Sequence, residues 1–179
     1  MKRIAPLLTL MAALLLGACG DKQAVNPPGI GKPFPAITLQ ALDGTTLSLE
    51  QHRDKLIILH VWATWCPPCR KEMPGLQRLS EKLDPEKFAL LGVSVDEDAD
   101  QVQAFKRNYG VTFARHIDPD RKIAEKVLAI KAYPETFLIG RDGTLLRRMI
   151  GEHSWDSPAM LALLQNSYAG VETKTGAYW

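Results

Sequence analysis

Two cysteines three positions apart, Cys66 and Cys69, stand just behind an unbroken apolar run, Leu56-Ile57-Ile58-Leu59-His60-Val61-Trp62, and at the head of a segment with helical periodicity. A run of that composition suits a central strand buried on both faces. Cysteines so spaced at a helix start close a small disulfide ring, and the first thiol then lies where the helix dipole and free N–H groups favour a thiolate. The stretch Trp65-Cys66-Pro67-Pro68-Cys69-Arg70 therefore reads as a redox dithiol in an α/β setting. The spacing alone also suits half of a zinc site or a haem attachment motif. Haem attachment needs a histidine after the second cysteine, where Arg70 stands, and a zinc cage would have to draw on His52, His60, His116 and His153, which show no paired spacing.

Cys19 is the third and last cysteine, so no dense disulfide framework is available. The 179 residues suit one domain with one core and carry no repeat or low-complexity tract. Lys2 and Arg3 account for the formal charge of +2, and beyond them basic and acidic residues balance. Without a basic surplus or stripe, a general nucleic-acid binder is excluded.

Lys2 and Arg3 precede the apolar run from Leu7 to Leu16, which has the length of an export signal and falls short of the roughly 20 residues that cross a bilayer. Leu16-Gly17-Ala18-Cys19 resembles a bacterial lipobox, which makes residues 1–18 a lipoprotein signal peptide and Cys19 the lipidated residue. Acylation of Cys19 would leave Cys66 and Cys69 as the only thiols, in a compartment that permits disulfides. Residues 19–33 are polar and rich in Pro and Gly, and read as a tether.

The folded part is expected over residues 34–168. Phe34, Ile37 and Leu39 begin a first strand, and Asp43-Gly44 turns it into a hairpin with Thr45-Thr46-Leu47. Ser48 with Gln51 suggests a capped helical turn before the central strand. Met73, Leu76, Leu79 and Leu83 mark one buried face of a helix from Pro67 to Leu83, with a kink expected at Pro74. A second buried strand, Phe88 to Val95, leads through the acidic loop Asp96-Glu97-Asp98 to a helix bearing Val102, Phe105 and Tyr109 that stops at Gly110. Val111-Thr112-Phe113 reads as extended, and Ile123 and Val127 as a further helix. Thr136 to Ile139 and Thr144 to Ile150 flank Asp142-Gly143, a second hairpin, and Ser157-Pro158 opens a last helix with Met160, Leu161 and Leu164 inward. Residues 169–179 are expected to be a loosely held tail. The pattern predicts a mixed sheet covered by helices.

Trp62-Ala63-Thr64-Trp65-Cys66-Pro67-Pro68-Cys69-Arg70, then Glu72 and Pro74, then Tyr133-Pro134-Glu135-Thr136-Phe137-Leu138-Ile139 resemble the TlpA/ResA/CcmG branch of bacterial thiol-disulfide oxidoreductases, over about residues 30 to 168. The resemblance implies an α/β thioredoxin-like mixed sheet flanked by helices, with an added N-terminal β-hairpin. Cys66, the more N-terminal thiol, is expected to attack and Cys69 to resolve. Pro134 resembles the family's cis-proline, which leaves the backbone of Tyr133 free to pair with a substrate strand. Glu72 stands where this branch carries a helix carboxylate that tunes the cysteines, because a nearby negative charge raises a thiol pKa; a solvated acid in the first helical turns is the alternative. Glu135 is either a second tuning or partner-selecting carboxylate or a surface residue. His60 occupies a position where thioredoxins carry a buried acid; it reads as a hydrogen-bonded buried histidine, with proton shuttling as the alternative. Trp62 is expected to pack, and Trp65 to sit at the rim with Pro67 and Pro68, where a client docks.

The function implied is a lipid-anchored, extracytoplasmic reductase of client protein disulfides, with apocytochrome c as one client by resemblance. It needs neither metal nor organic cofactor, works as a monomer, and draws electrons from a transmembrane thiol reductase of the DsbD or CcdA kind. Pro67 and Pro68 remove N–H groups that would otherwise stabilise a Cys66 thiolate, which favours a less oxidising pair. The alternatives are a thiol oxidant or isomerase, since direction depends on potential, and a tethered metal-binding dithiol module. A peroxidase of the peroxiredoxin type would need a different setting for its cysteine.

Overall fold

The computed structural model describes residues 28–171. The residues read as a signal peptide, Cys19, and most of those read as tether and tail lie outside that span. Seven strands form one mixed sheet in the order β2-β1-β5-β4-β3-β6-β7. At its centre, β3 (Leu56–Trp62) is buried along its whole length, as an all-apolar run around one histidine requires. It pairs in parallel with β4 (Phe88–Ser94) and antiparallel with β6 (Glu135–Ile139). Beyond β6 lies β7 (Leu145–Ile150), its antiparallel hairpin partner. On the other side β4 pairs in parallel with β5 (Ala114–Ile117). The N-terminal hairpin, β1 (Thr38–Ala41) and β2 (Thr46–Ser48), is joined to this sheet by antiparallel pairing of β1 with β5.

Helix α1 (Pro67–Lys82) follows β3 directly and buries Cys69, Glu72, Met73, Leu76 and Leu79. It runs through Pro74 as one helix. Helix α2 (Ala99–Tyr109) starts at Asp98, whose side chain accepts from the Asp100 N–H, and ends where Gly110 takes a left-handed conformation at φ 65°. Helix α3 (Pro158–Tyr168) is capped by Ser157 and turns Met160 and Leu164 inward, with Leu161 half-buried. Among the described residues no helix is long and apolar enough to cross a membrane.

Four local expectations change. The strand after α2 begins at Ala114, one residue past Val111-Thr112-Phe113, because the Val111 N–H is spent on the Lys106 carbonyl that closes the helix. The segment with Ile123 and Val127 is a π-helical turn, Lys122–Val127: the Leu128 N–H reaches back to Ile123 O, and the Asp118 carboxylate accepts from the N–H groups of Ile123 and Ala124. Ser48 caps a 3-10 turn, Leu49–His52, through the Glu50 N–H, and Gln51 takes no part in that bond. Finally, the end of the segment read as a tether is docked: Gly31 N–H donates to Leu145 O, Leu145 N–H to Lys32 O, and Phe34 N–H to Gly143 O.

Candidate active site

The dithiol sits at the junction that β3 and α1 create. Cys66 is the N-cap of α1, in extended backbone, and is joined to Cys69 by a disulfide with the Cα atoms 5.3 Å apart. Pro67 and Pro68 occupy the first two helical positions and have no N–H to offer. The Cys69 N–H, 3.4 Å away, is therefore the helix amide that reaches the Cys66 sulfur. Cys69 is completely enclosed, while Cys66 keeps 4 % of its surface, so Cys66 is the sulfur an outside thiol or disulfide meets first.

Two loops complete the mouth. The Tyr133–Pro134 peptide bond is cis, and the Tyr133 carbonyl oxygen lies 3.5 Å from the Cys66 sulfur. Trp65 is half exposed; its ring meets Tyr133 edge-on at 5.9 Å, and the Arg121 guanidinium lies 5.8 Å from its centre. The Thr64–Trp65 approach is held from β4's end by Asp96, which accepts from the Thr64 N–H at 2.9 Å and the Thr64 hydroxyl at 2.6 Å, and also bonds Ser94. Asp96 is buried by that role, which its place in an acidic loop gave no sign of.

Behind the dithiol lies a buried polar cluster. Glu72, one turn after Cys69 on the same buried face of α1, is enclosed rather than solvated. Its Oε2 accepts from the Trp155 indole N–H at 2.7 Å and the His153 backbone N–H at 3.0 Å. Burial pushes this carboxyl up to about 7, with the nearby Glu152 charge adding to the rise and the two N–H donors opposing it. Gly75 suits this close approach: a Cβ there would meet Asp156 Oδ1 at 3.3 Å, a tight contact that the Asp156 side chain would have to relieve, and Trp155 Cβ at 3.8 Å, an ordinary one. His60 is fully buried beside this group, with Nδ1 2.9 Å from the Thr136 hydroxyl and Nε2 3.5 Å from Glu72 Oε1. Desolvation, aided by His153, pulls His60 down to about 3, so it is neutral at ordinary pH.

Glu135 is not a surface residue. It is buried and ion-paired with Arg148 of β7, whose guanidinium also reaches the Ala129 carbonyl and lies 5.6 Å from the Phe137 ring centre. Burial raises its pKa and Arg148 opposes the rise. Trp62 is wholly packed, against Phe105. Trp155, Arg148 and Asp96 were not singled out in the sequence, because their partners Glu72, Glu135 and Thr64 lie 83, 13 and 32 positions away and share no local pattern with them. Among the described residues no group of three or more His, Cys, Asp or Glu side chains is placed to hold a metal ion.

A disulfide at a helix N-cap, facing a cis-proline loop on a central four-stranded run, β5-β4-β3-β6, defines a thiol-disulfide oxidoreductase of the thioredoxin-like class. Residues 30–148 match the AhpC/TSA family, and the chain belongs to it. It is 32 % identical over 141 residues to the thiol-disulfide oxidoreductase ResA of Bacillus anthracis, covering 79 % of each chain. The solved structure of a thiol-disulfide oxidoreductase from Bacteroides fragilis superposes with a TM-score of 0.64 at 27 % identity, over 74 % of this chain and 99 % of that one. A thiol:disulfide interchange protein from a Bacteroides species shares the fold at a TM-score of 0.67 and 19 % identity, over 83 % and 96 %. These matches agree with the TlpA/ResA/CcmG resemblance drawn from the motifs.

Proposed function

We propose that the chain is a membrane-anchored, extracytoplasmic reductant of client protein disulfides. The Cys66 thiolate attacks one sulfur of a client disulfide; that bond breaks, a Cys66–client disulfide forms, and the first client thiolate leaves. Cys69 then loses its proton and attacks the Cys66 sulfur, releasing the second client thiolate and closing Cys66–Cys69. Two electrons pass from the dithiol to the client. Trp65, Pro67, Pro68 and Tyr133 frame the opening through which the client strand enters, Pro134 shapes its backbone wall, and Glu72 supplies a charge that opposes the thiolate. Glu135 acts through Arg148 on the strand behind that wall.

The observation that carries the reductive direction is the single amide at the Cys66 sulfur. A thiolate with few donors is poorly stabilised, so the reduced form is less favoured and gives up its electrons more readily. Equilibration against glutathione or dithiothreitol tests this, using the chain with Cys19→Ser. A potential near or below about −270 mV supports a reductant, and one near about −120 mV makes the protein a disulfide donor instead.

Cys19 anchors the protein by lipid outside the cytoplasmic membrane, and a transmembrane thiol reductase of the DsbD or CcdA kind restores the dithiol. The Pro134-Glu135-Thr136-Phe137 run, which resembles the cytochrome c maturation members of the branch, supports apocytochrome c as a client. Mass spectrometry of the membrane-bound chain is expected to find a diacylglyceryl group on Cys19.

A further inference from the structure

His60 and Glu72 are both wholly withdrawn from solvent, and the atoms they turn toward each other, Nε2 and Oε1, stand 3.5 Å apart. Neither atom has another hydrogen-bond partner among the described residues. The remaining polar atoms of both side chains are engaged: Nδ1 with the Thr136 hydroxyl, and Oε2 with the N–H groups of Trp155 and His153. Two buried polar atoms face to face with nothing else to bond form an arrangement that one proton completes.

The position of that proton follows from the donors. Oε2 already accepts two N–H bonds, so a protonated Glu72 carries its hydrogen on Oε1 and donates it to Nε2. The imidazole must then hold its own hydrogen on Nδ1 and donate it to Thr136 Oγ1. When one proton is lost, the Oε1–H and Nδ1–H bonds break, an Nε2–H bond forms and donates to the Oε1 carboxylate, and the Thr136 hydroxyl turns to donate to Nδ1. One proton goes to solvent and no electrons move. The 2.9 Å separation of Nδ1 and Oγ1 serves either direction.

We propose that His60 and Glu72 form a one-proton dyad, in which His60 is the positioning residue that accepts the Glu72 proton and, by switching tautomer against Thr136, sets the pH at which a negative charge appears one turn from Cys69. The inference rests on the dithiol exchange proposed above and deepens it, because a carboxylate there opposes a thiolate and a carboxylic acid does not. The groups that bear on the dyad come from every element around it. Cys69 lies on α1, Thr136 on β6, and Glu152, His153 and Trp155 on the loop after β7; Glu152 is itself ion-paired with Lys71 at 2.7 Å. Burial that raises Glu72 and lowers His60 keeps the proton on the carboxyl below neutrality.

Nitrogen-15 and carbon-13 NMR of the purified chain, oxidised and after reduction with dithiothreitol, tests this. The Glu72 carboxyl and both His60 ring nitrogens are expected to move at one shared midpoint, the ring exchanging Nδ1–H for Nε2–H. Ring nitrogens that stay still through the Glu72 transition, or that both become protonated, would overturn the proposal. Glu72→Gln should abolish the step seen at His60. His60→Leu, which can neither accept from the carboxylic acid nor donate to the carboxylate, removes the stronger bond to the charged form and should raise the Glu72 midpoint by about one pH unit; His60→Phe provides the same measurement if the leucine variant does not fold. An unchanged midpoint in the folded variant overturns the dyad. The pH profile of disulfide reduction should shift with the NMR midpoint, and a profile that stays in place also overturns it. A chain that reduces no disulfide yet shows the shared NMR step sustains the dyad and removes the function proposed above.

Discussion

The Cys66 sulfur lies 3.5 Å from the carbonyl oxygen of Tyr133, so the backbone that precedes Pro134 lies directly against the more N-terminal sulfur of the dithiol. A client strand entering there meets Cys66 first, because Cys69 is fully enclosed. Cys66→Ser is therefore expected to abolish exchange, and Cys69→Ser to accumulate a mixed disulfide with the client. Non-reducing electrophoresis followed by mass spectrometry checks both. A Cys69→Ser chain that traps nothing would count heavily against the assigned roles.

Pro68 withholds the amide that a helix normally presents to its N-cap alongside that of the third helical residue. Pro68→Ala returns it within reach of the Cys66 sulfur. The added donor should stabilise the thiolate and make the pair more oxidising by about 20–30 mV, the equivalent of about one charge-assisted hydrogen bond partly offset by solvent. Equilibration of parent and variant in the same redox buffer gives the difference directly; a shift toward a more negative value would contradict the account of direction.

Glu72 makes stability fall with rising pH. The folded carboxyl holds its proton up to about 7, whereas in the unfolded chain it loses the proton near the ordinary glutamate value of 4.5. Between those values the native state binds more protons, so its stability declines across the window and is level above it, by about 3 kcal/mol in all. Glu72→Gln should flatten this part of the stability profile, measured by urea unfolding from pH 4 to pH 8, roughly the span over which the carboxyl titrates. A slope of the same size in the variant would place the titrating group elsewhere.

Arg148 is the sole ion-pair partner of Glu135 among the described residues. Arg148→Ala leaves a buried carboxylate without its counter-charge and should cost about 3–5 kcal/mol at neutral pH. The loss should shrink on acidification as Glu135 takes up a proton. Replacing both residues by apolar ones of similar volume should recover most of the stability, and denaturant unfolding of the single and double variants distinguishes the pair from a simple packing contact.

How much of this was legible in the chain follows from the range of each interaction. The central strand, the Cys66/Cys69 dithiol and the first face of α1 are local patterns of hydrophobic period and capping, and an all-apolar run followed by Cys-x-x-Cys has few places to go except the middle of a sheet. The hairpin turns at Asp43-Gly44 and Asp142-Gly143 were equally local. The π-helical turn was not, because it depends on Asp118 reaching forward to two amides across a left-handed Arg121.

Sequence by itself determined which residues carry the sulfur chemistry and that the sheet is mixed, since both are written in short-range spacing. Only the tertiary structure decided the charge environment. Glu72 and Glu135, equally ambiguous as surface or site residues in the sequence, are both buried, one under Trp155 and beside His60, the other against Arg148. The physical reason is that desolvation and hydrogen bonding act through space: Trp155 reaches Glu72 from 83 positions along the chain, a distance at which no periodicity or spacing survives.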